Sequence, residues 1–202
     1  TLYEYDIVTE TIVKLKEQEV PSGFNPEDYT VERIWATAKD GVEVPMALVY
    51  KKGLKRDGTN PALIYSYGSY GMSSDVYFSA SIYSLIDRGF VYAIAQIRGG
   101  SDLGEQWYED GKLLNKKNSF TDFISCSENL ISDGYTSSNK LAAMGGSAGG
   151  LLMGAVVNSR PDLYQTIVSQ VPFVDVINTM LDDSLPLTTG EYEEWGNPNV
   201  EE

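Results

Sequence analysis

From Thr1 to Tyr50 apolar and polar positions alternate; from Ala62 onward short, nearly continuous apolar runs take over, separated by stretches of helical spacing. Alternation with period two marks strands that bury one face and wet the other. It predicts a first pair, Leu2–Asp6 and Thr11–Leu15, joined by a turn near Val8-Thr9-Glu10. Pro21, Gly23 and Pro26 then break the pattern into a linker. A second pair, Tyr29–Ala38 and Val44–Tyr50, flanks Lys39-Asp40-Gly41, and Asp-Gly between alternating strands is a strong hairpin signal. Lys51–Asn60 reads as a polar loop.

The apolar runs Ala62–Tyr67, Phe90–Ile97, Leu141–Met144 and Thr166–Val171 suit strands buried on both faces. Between them, Phe78, Ile82, Leu85 and Ile86 share a helical face, with Gly89 beyond its end. Phe120, Phe123, Ile124, Leu130 and Ile131 share another. Ser119 precedes that run and Asp122 follows three residues later, the spacing of a capping box, and Gly134 suits the C′ position. Leu151, Leu152, Ala155 and Val156 mark a third helix, closed before Pro161. Strands alternating with helices predict an α/β fold built on a mostly parallel sheet.

A chain of 202 residues, 42% hydrophobic, can bury one core and carry part of a second domain. It contains no run of about 18 apolar residues, so no helical membrane span is expected. No signal peptide opens it, although Thr1 in place of Met leaves room for residues upstream. The 15 basic residues are outnumbered by 29 acidic ones, for a net charge of −14. That balance argues against a nucleic-acid surface, which needs clustered Lys and Arg; an acidic surface commonly serves solubility and can also favour cationic substrates near a site. The lone Cys126 excludes an intrachain disulfide and a cysteine zinc site; a buried structural thiol in a reducing cytoplasm is expected. The chain has no histidine, the usual general base at neutral pH. It therefore lacks a complete Ser-His-Asp system: either the chemistry is different or the chain is incomplete.

One string carries chemistry: Gly145-Gly146-Ser147-Ala148-Gly149-Gly150. It matches G-x-S-x-G, the turn that lifts a nucleophilic serine above a sheet, and it lies between a short apolar strand and an apolar helix, as that chemistry requires. Glycines at the outer positions leave room for the tight turn, and the Ala148 N–H beyond the serine can stabilise an oxyanion. The alternative is a glycine-rich βα turn that merely packs closely. A dinucleotide-binding fingerprint is excluded because Ser147 stands where its second glycine belongs.

Further strings carry a resemblance. They are Ile64-Tyr65-Ser66-Tyr67-Gly68-Ser69-Tyr70-Gly71, Asp87-Arg88-Gly89-Phe90-Val91-Tyr92-Ala93, Arg98-Gly99-Gly100, Arg160-Pro161-Asp162-Leu163, Val171-Pro172-Phe173-Val174-Asp175-Val176 and Leu187 to Pro198. With the serine turn they make the stretch from Tyr29 to Asn199 similar to the prolyl oligopeptidase family of serine peptidases, in its oligopeptidase B branch. The resemblance implies an α/β-hydrolase catalytic domain capped by a seven-bladed β-propeller. Residues 1–20 then correspond to the closing strands of the last blade, 21–28 to a linker, and 29–202 to the first part of the hydrolase domain. In that fold the order is Ser, Asp, His, so the acid and the histidine fall beyond residue 202 and the chain alone is expected to be inactive.

The same resemblance implies site residues. Ser147 corresponds to the nucleophile, and Tyr67 to a tyrosine whose phenol joins the Ala148 N–H in holding the oxyanion. Without the resemblance, Tyr67 reads first as core packing at an aromatic strand end. Glu191 and Glu193 correspond to an acidic pair that binds a substrate Arg or Lys at the scissile position. On an extended segment they would point to one side; the other reading is a solvated acidic run with Glu194, Glu201 and Glu202. Asp75 corresponds to one of two acidic positions of the neighbouring subsite; the second is Tyr77 here, so single rather than paired basic residues are implied. Ser101-Asp102 replaces the Gly-Glu that relatives often carry after Arg98-Gly99-Gly100. Short basic peptides are the implied substrates, with no metal, organic cofactor, nucleic acid or membrane; the propeller and C-terminal segment are the missing partners. An esterase or acylaminoacyl peptidase, or a non-catalytic domain of the same fold, are the rival readings.

Overall fold

The computed structural model describes residues 1–21 and 23–200. Ser22 of the expected linker and the terminal Glu201 and Glu202 lie outside the described residues. Strands β1 (Leu2–Asp6) and β2 (Thr11–Lys16) pair antiparallel as a separate two-stranded sheet. The Asp6 carboxylate accepts from the Val8 and Thr9 N–H groups and closes the turn. Every residue of both strands is exposed, and among the described residues no layer covers the alternating face.

The rest of the chain builds one α/β unit. Strands β3 (Tyr29–Thr37) and β4 (Glu43–Lys51) form the expected hairpin, with Gly41 at φ +85°. There follow β5 (Ala62–Tyr65), α1 (Ala80–Ile86), β6 (Val91–Ala95), α2 (Glu105–Glu109), α3 (Lys117–Ser132), β7 (Leu141–Gly146), α4 (Ala148–Ser159) and β8 (Thr166–Gln170). Two short helices end the chain, α5 (Val176–Leu181) and α6 (Tyr192–Trp195). The six strands order β3-β4-β6-β5-β7-β8; β6, β5, β7 and β8 run parallel, and the β3–β4 and β4–β6 pairs are antiparallel. The predicted mostly parallel sheet is therefore present. Ile64, Ala93, Leu141 and Ala143 of the central strands are fully buried, and Phe123, Leu130, Met153 and Val156 of α3 and α4 cover them. Among the described residues no helix is long and apolar enough to cross a membrane.

Among the described residues β7 alone pairs with β8, so within these 202 residues β8 is mostly exposed. Two expectations need correction. Ser119 and Asp122 do not cap α3. A 3₁₀ turn at Leu113–Asn115 leads into the helix at Lys117, so both residues fall inside it. Their side chains turn elsewhere: Ser119 Oγ donates to the Arg98 carbonyl at 2.6 Å, and the Asp122 carboxylate holds Arg98. The helix end is as read: Gly134 has φ +74°, its N–H donates to Ile131 and the Tyr135 N–H to Leu130, a Schellman closure. Finally, β5 stops at Tyr65, two residues before the apolar pattern does. Ser66 Oγ donates to the Ala95 carbonyl, and Gly68, Tyr70 and Gly71 take positive φ, so the chain leaves the sheet in a compact turn.

Candidate active site

The end of β7 and the start of α4 are joined by Ser147 alone, with φ 55° and ψ −117°. A non-glycine residue there carries strain on the order of 1–3 kcal/mol, held only when the surroundings over-determine it. They do so here. The Ser147 N–H donates to the Gln170 carbonyl at 2.9 Å, and its carbonyl accepts from Phe173 at 3.0 Å and Gly150 at 2.9 Å. The flanking glycines are sterically required. A Cβ on Gly145 would lie 2.2 Å from the Gly149 carbonyl oxygen, one on Gly149 2.8 Å from that of Ser66, and one on Gly150 2.5 Å from Pro172 Cα. Ser147 itself is exposed, while Ala148 is buried at the first position of α4, where a backbone N–H has no acceptor within its own helix.

Tyr67, on the turn after β5, faces this serine. Burial raises its phenol pKa and the neighbouring Ser147 hydroxyl pulls it down, with a net upward shift. The turn is packed backbone against backbone: a Cβ on Gly99 would sit 2.2 Å from the Gly68 carbonyl oxygen. Behind it lies a buried ion cluster. Arg98 donates to Asp122 through its backbone N–H (3.0 Å), Nε (2.9 Å) and Nη2 (2.6 Å), and through Nη1 to Asp40 (2.7 Å). These carboxylates hold the Arg98 guanidinium well above its ordinary pKa, Asp122 contributing most.

A cavity of about 300 Å³ opens beside the serine, lined among others by Tyr70, Ser147, Phe173, Met180, Leu187 and Glu191. Of the six described non-glycine residues with positive φ, four line it: Tyr70, Ser147, Val171 and Leu187. Backbone strain is thus concentrated where a ligand would sit. On its wall Glu191 Oε2 accepts from the Tyr70 hydroxyl at 2.6 Å and from Trp195 Nε1 at 3.2 Å. Burial, and then the Glu191 carboxylate, raise the Tyr70 pKa, so Tyr70 stays a donor.

The expected extended segment at Glu191 and Glu193 is not there. A 3₁₀ turn at Thr188–Gly190 runs into α6, so residues two apart diverge. Glu191 reaches the cavity wall, and Glu193 is exposed and is not part of the lining. Glu194, read as part of a solvated run, is the buried member: 2% exposed, with Oε1 2.8 Å from Lys116 Nζ. Asp75 is exposed on the segment before α1 and also lies outside the lining. Tyr77 instead borders a separate apolar cavity of about 200 Å³ under α1. Beside Asp75, Asp102 Oδ1 accepts from the Ser74 N–H, and burial raises its carboxyl pKa. Tyr70, Lys116 and Trp195 are not singled out by the sequence, and Glu194 enters there only as part of a solvated run. Tyr70, Glu194 and Trp195 lie inside the strings that carry the resemblance, whereas Lys116 carries no signal.

The profile of the prolyl oligopeptidase family matches residues 76–202. The chain is 55% identical to dipeptidyl aminopeptidase BI of Pseudoxanthomonas mexicana over 98% of its length and 50% identical to protease 2 of Moraxella lacunata over 91%, covering 27% and 26% of those proteins. Oligopeptidase B from Trypanosoma brucei with covalently bound antipain, in a closed form, superimposes with a TM-score of 0.93 at 48% identity, over 98% of this chain and 28% of that one. The chain thus spans about a quarter of the length of these relatives. A serine on a strained strand-to-helix turn, a mostly parallel sheet and these matches agree: the chain belongs to the prolyl oligopeptidase family of serine peptidases.

Proposed function

We propose that this chain is the nucleophile-bearing part of a serine oligopeptidase that cleaves short peptides after Arg or Lys. Ser147 attacks the scissile carbonyl, and the Ala148 N–H with the Tyr67 phenol receives the developing oxyanion. A histidine oriented by an aspartate, both outside these 202 residues, takes the serine proton. Residues 1–20 then belong to the last blade of a propeller, which explains a strand pair with both faces uncovered. The observation that carries the specificity is the position of Glu191 on the cavity that Ser147 borders. Tyr70 and Trp195 occupy its Oε2 and orient the group, leaving Oε1 for a substrate cation. Glu193 is exposed and outside the cavity lining, so it contributes only to the overall negative field; Asp75, also outside the lining, acts further out, toward the preceding substrate residue.

In the full-length protein, Glu191→Gln keeps the shape and both donors' partner but removes the charge. It is expected to lower kcat/KM for an arginyl amide on the order of 100-fold, as for a desolvated charge pair losing one member, and to leave a neutral acyl ester nearly unchanged. Equal loss on both substrates would refute cation recognition by Glu191. Tyr67→Phe is expected to lower kcat on either substrate about 100- to 1000-fold with little change in KM, since its hydrogen bond is made in the transition state. The name of the Pseudoxanthomonas relative favours a second reading, release of dipeptides from an amino terminus. The lengths of products from a peptide with one internal Arg separate the two.

A further inference from the structure

Two loops far apart in sequence meet behind the cavity, and a single buried cation joins them. Lys116 stands just before α3, with its side chain 12% exposed. Its ammonium donates to the Gly68 carbonyl at 3.0 Å, to Ser69 Oγ at 3.0 Å and to Glu194 Oε1 at 2.8 Å, which uses all three protons. The ring of Trp195 lies 5.1 Å from Nζ. Gly68 and Ser69 directly follow Tyr67, while Glu194 and Trp195 belong to α6, whose first turn follows Glu191.

We propose that Lys116 is a positioning residue: its ammonium fixes the turn carrying Tyr67 against α6, so that the oxyanion donor is held in register with the cavity wall. This rests on the reading of Ser147 and Tyr67 given above. Glu194 Oε1 is taken by this internal cation, its Oε2 is buried without a hydrogen-bond partner, and the cavity lining holds Glu191 rather than Glu194. Tyr70 supplies a second tie between the same two segments, through Glu191 and Trp195. Removing Lys116 therefore loosens the turn without releasing Glu191. A displacement of about 1 Å in a catalytic group costs up to about 100-fold in rate.

The test uses the full-length protein and the double variant Lys116→Met/Glu194→Gln, which removes both charges and leaves no unpaired ion in the interior. Ser69→Ala is the milder companion, deleting one acceptor and no charge. Active sites are counted by stoichiometric labelling of Ser147 with a serine-directed phosphonate. Rates per labelled serine are then measured on an arginyl amide and on a neutral acyl ester. The expected result is a kcat per site reduced about 10- to 100-fold in the double variant and several-fold in Ser69→Ala, on both substrates, with KM within about 3-fold of the parent. A purely structural ion pair would lower the number of labelled sites and leave kcat per site at the parental value; that outcome overturns the proposal. Failure of the parent protein to prefer the arginyl amide would overturn the specificity reading alone, because the effect of Lys116 is still read on the ester.

Discussion

Ser147→Ala in the full-length protein is expected to reduce peptide hydrolysis on the order of a million-fold and to abolish labelling by a serine-directed phosphonate. The magnitude follows from what remains. Without the hydroxyl there is no acyl intermediate, and the Ala148 N–H and Tyr67 can only polarise a bound carbonyl for direct attack by water. Such residual stabilisation amounts to about 10³–10⁴ over the uncatalysed reaction. The same reasoning covers the isolated 202-residue chain, which has no imidazole to take the serine proton. It is expected to show no turnover of an arginyl amide, even though its serine turn is formed. Retention of more than about one part in a thousand of parental activity by Ser147→Ala would place the nucleophile elsewhere. The expected loss is not a folding effect, because alanine at residue 147 keeps every backbone hydrogen bond of the turn.

The difference between what was legible in sequence and what was not lies in the range of the forces involved. The serine turn is a local steric problem, and its answer is local: glycines at residues 145 and 149, where a Cβ would collide with backbone oxygen. The parallel strands were equally legible, because burial on both faces writes continuous apolar runs. Strand β8 carries such a run too, and among the described residues β7 is its neighbour on one side. Ser119 and Asp122 have capping-box spacing, yet the residue that claims Asp122 is Arg98, 24 positions away. The Lys116–Glu194 pair spans 78 positions, and nothing in either neighbourhood announces it. The acidic string at Glu191–Glu194 shows the cost of a wrong period. Read as extended, it pairs Glu191 with Glu193; folded as a helical turn, it sends Glu191 to the cavity, Glu193 to solvent and Glu194 to the interior. Positive φ at Tyr70 and Leu187 was also invisible, since neither residue type favours it and only the surrounding packing enforces it.

Asp122→Ala is expected to cost about 3–5 kcal/mol of stability, the range for stripping one partner from a buried ion pair. Asp122 is fully buried and Arg98 is 4% exposed, so neither solvent nor salt can substitute for the missing carboxylate. Asp40 still accepts from Arg98 Nη1, but its side chain is 47% exposed and it reaches only one nitrogen; the Arg98 backbone N–H, Nε and Nη2 would all lose their acceptor. Against a typical reserve of about 5–15 kcal/mol this is a large fraction. The measurement is urea unfolding followed by tryptophan fluorescence, which reports on the cluster directly because Trp107 lies 6.0 Å from the guanidinium carbon. Replacing both partners, as Arg98→Met with Asp122→Leu, is expected to cost less than the single change, since an apolar pair of similar volume leaves no charge stranded. The reverse order of the two variants would mean that the cluster acts through shape rather than charge. Function should follow stability here. The Arg98-Gly99 backbone is packed directly against Gly68, so the loop that the ion cluster anchors is the floor on which the turn bearing Tyr67 rests.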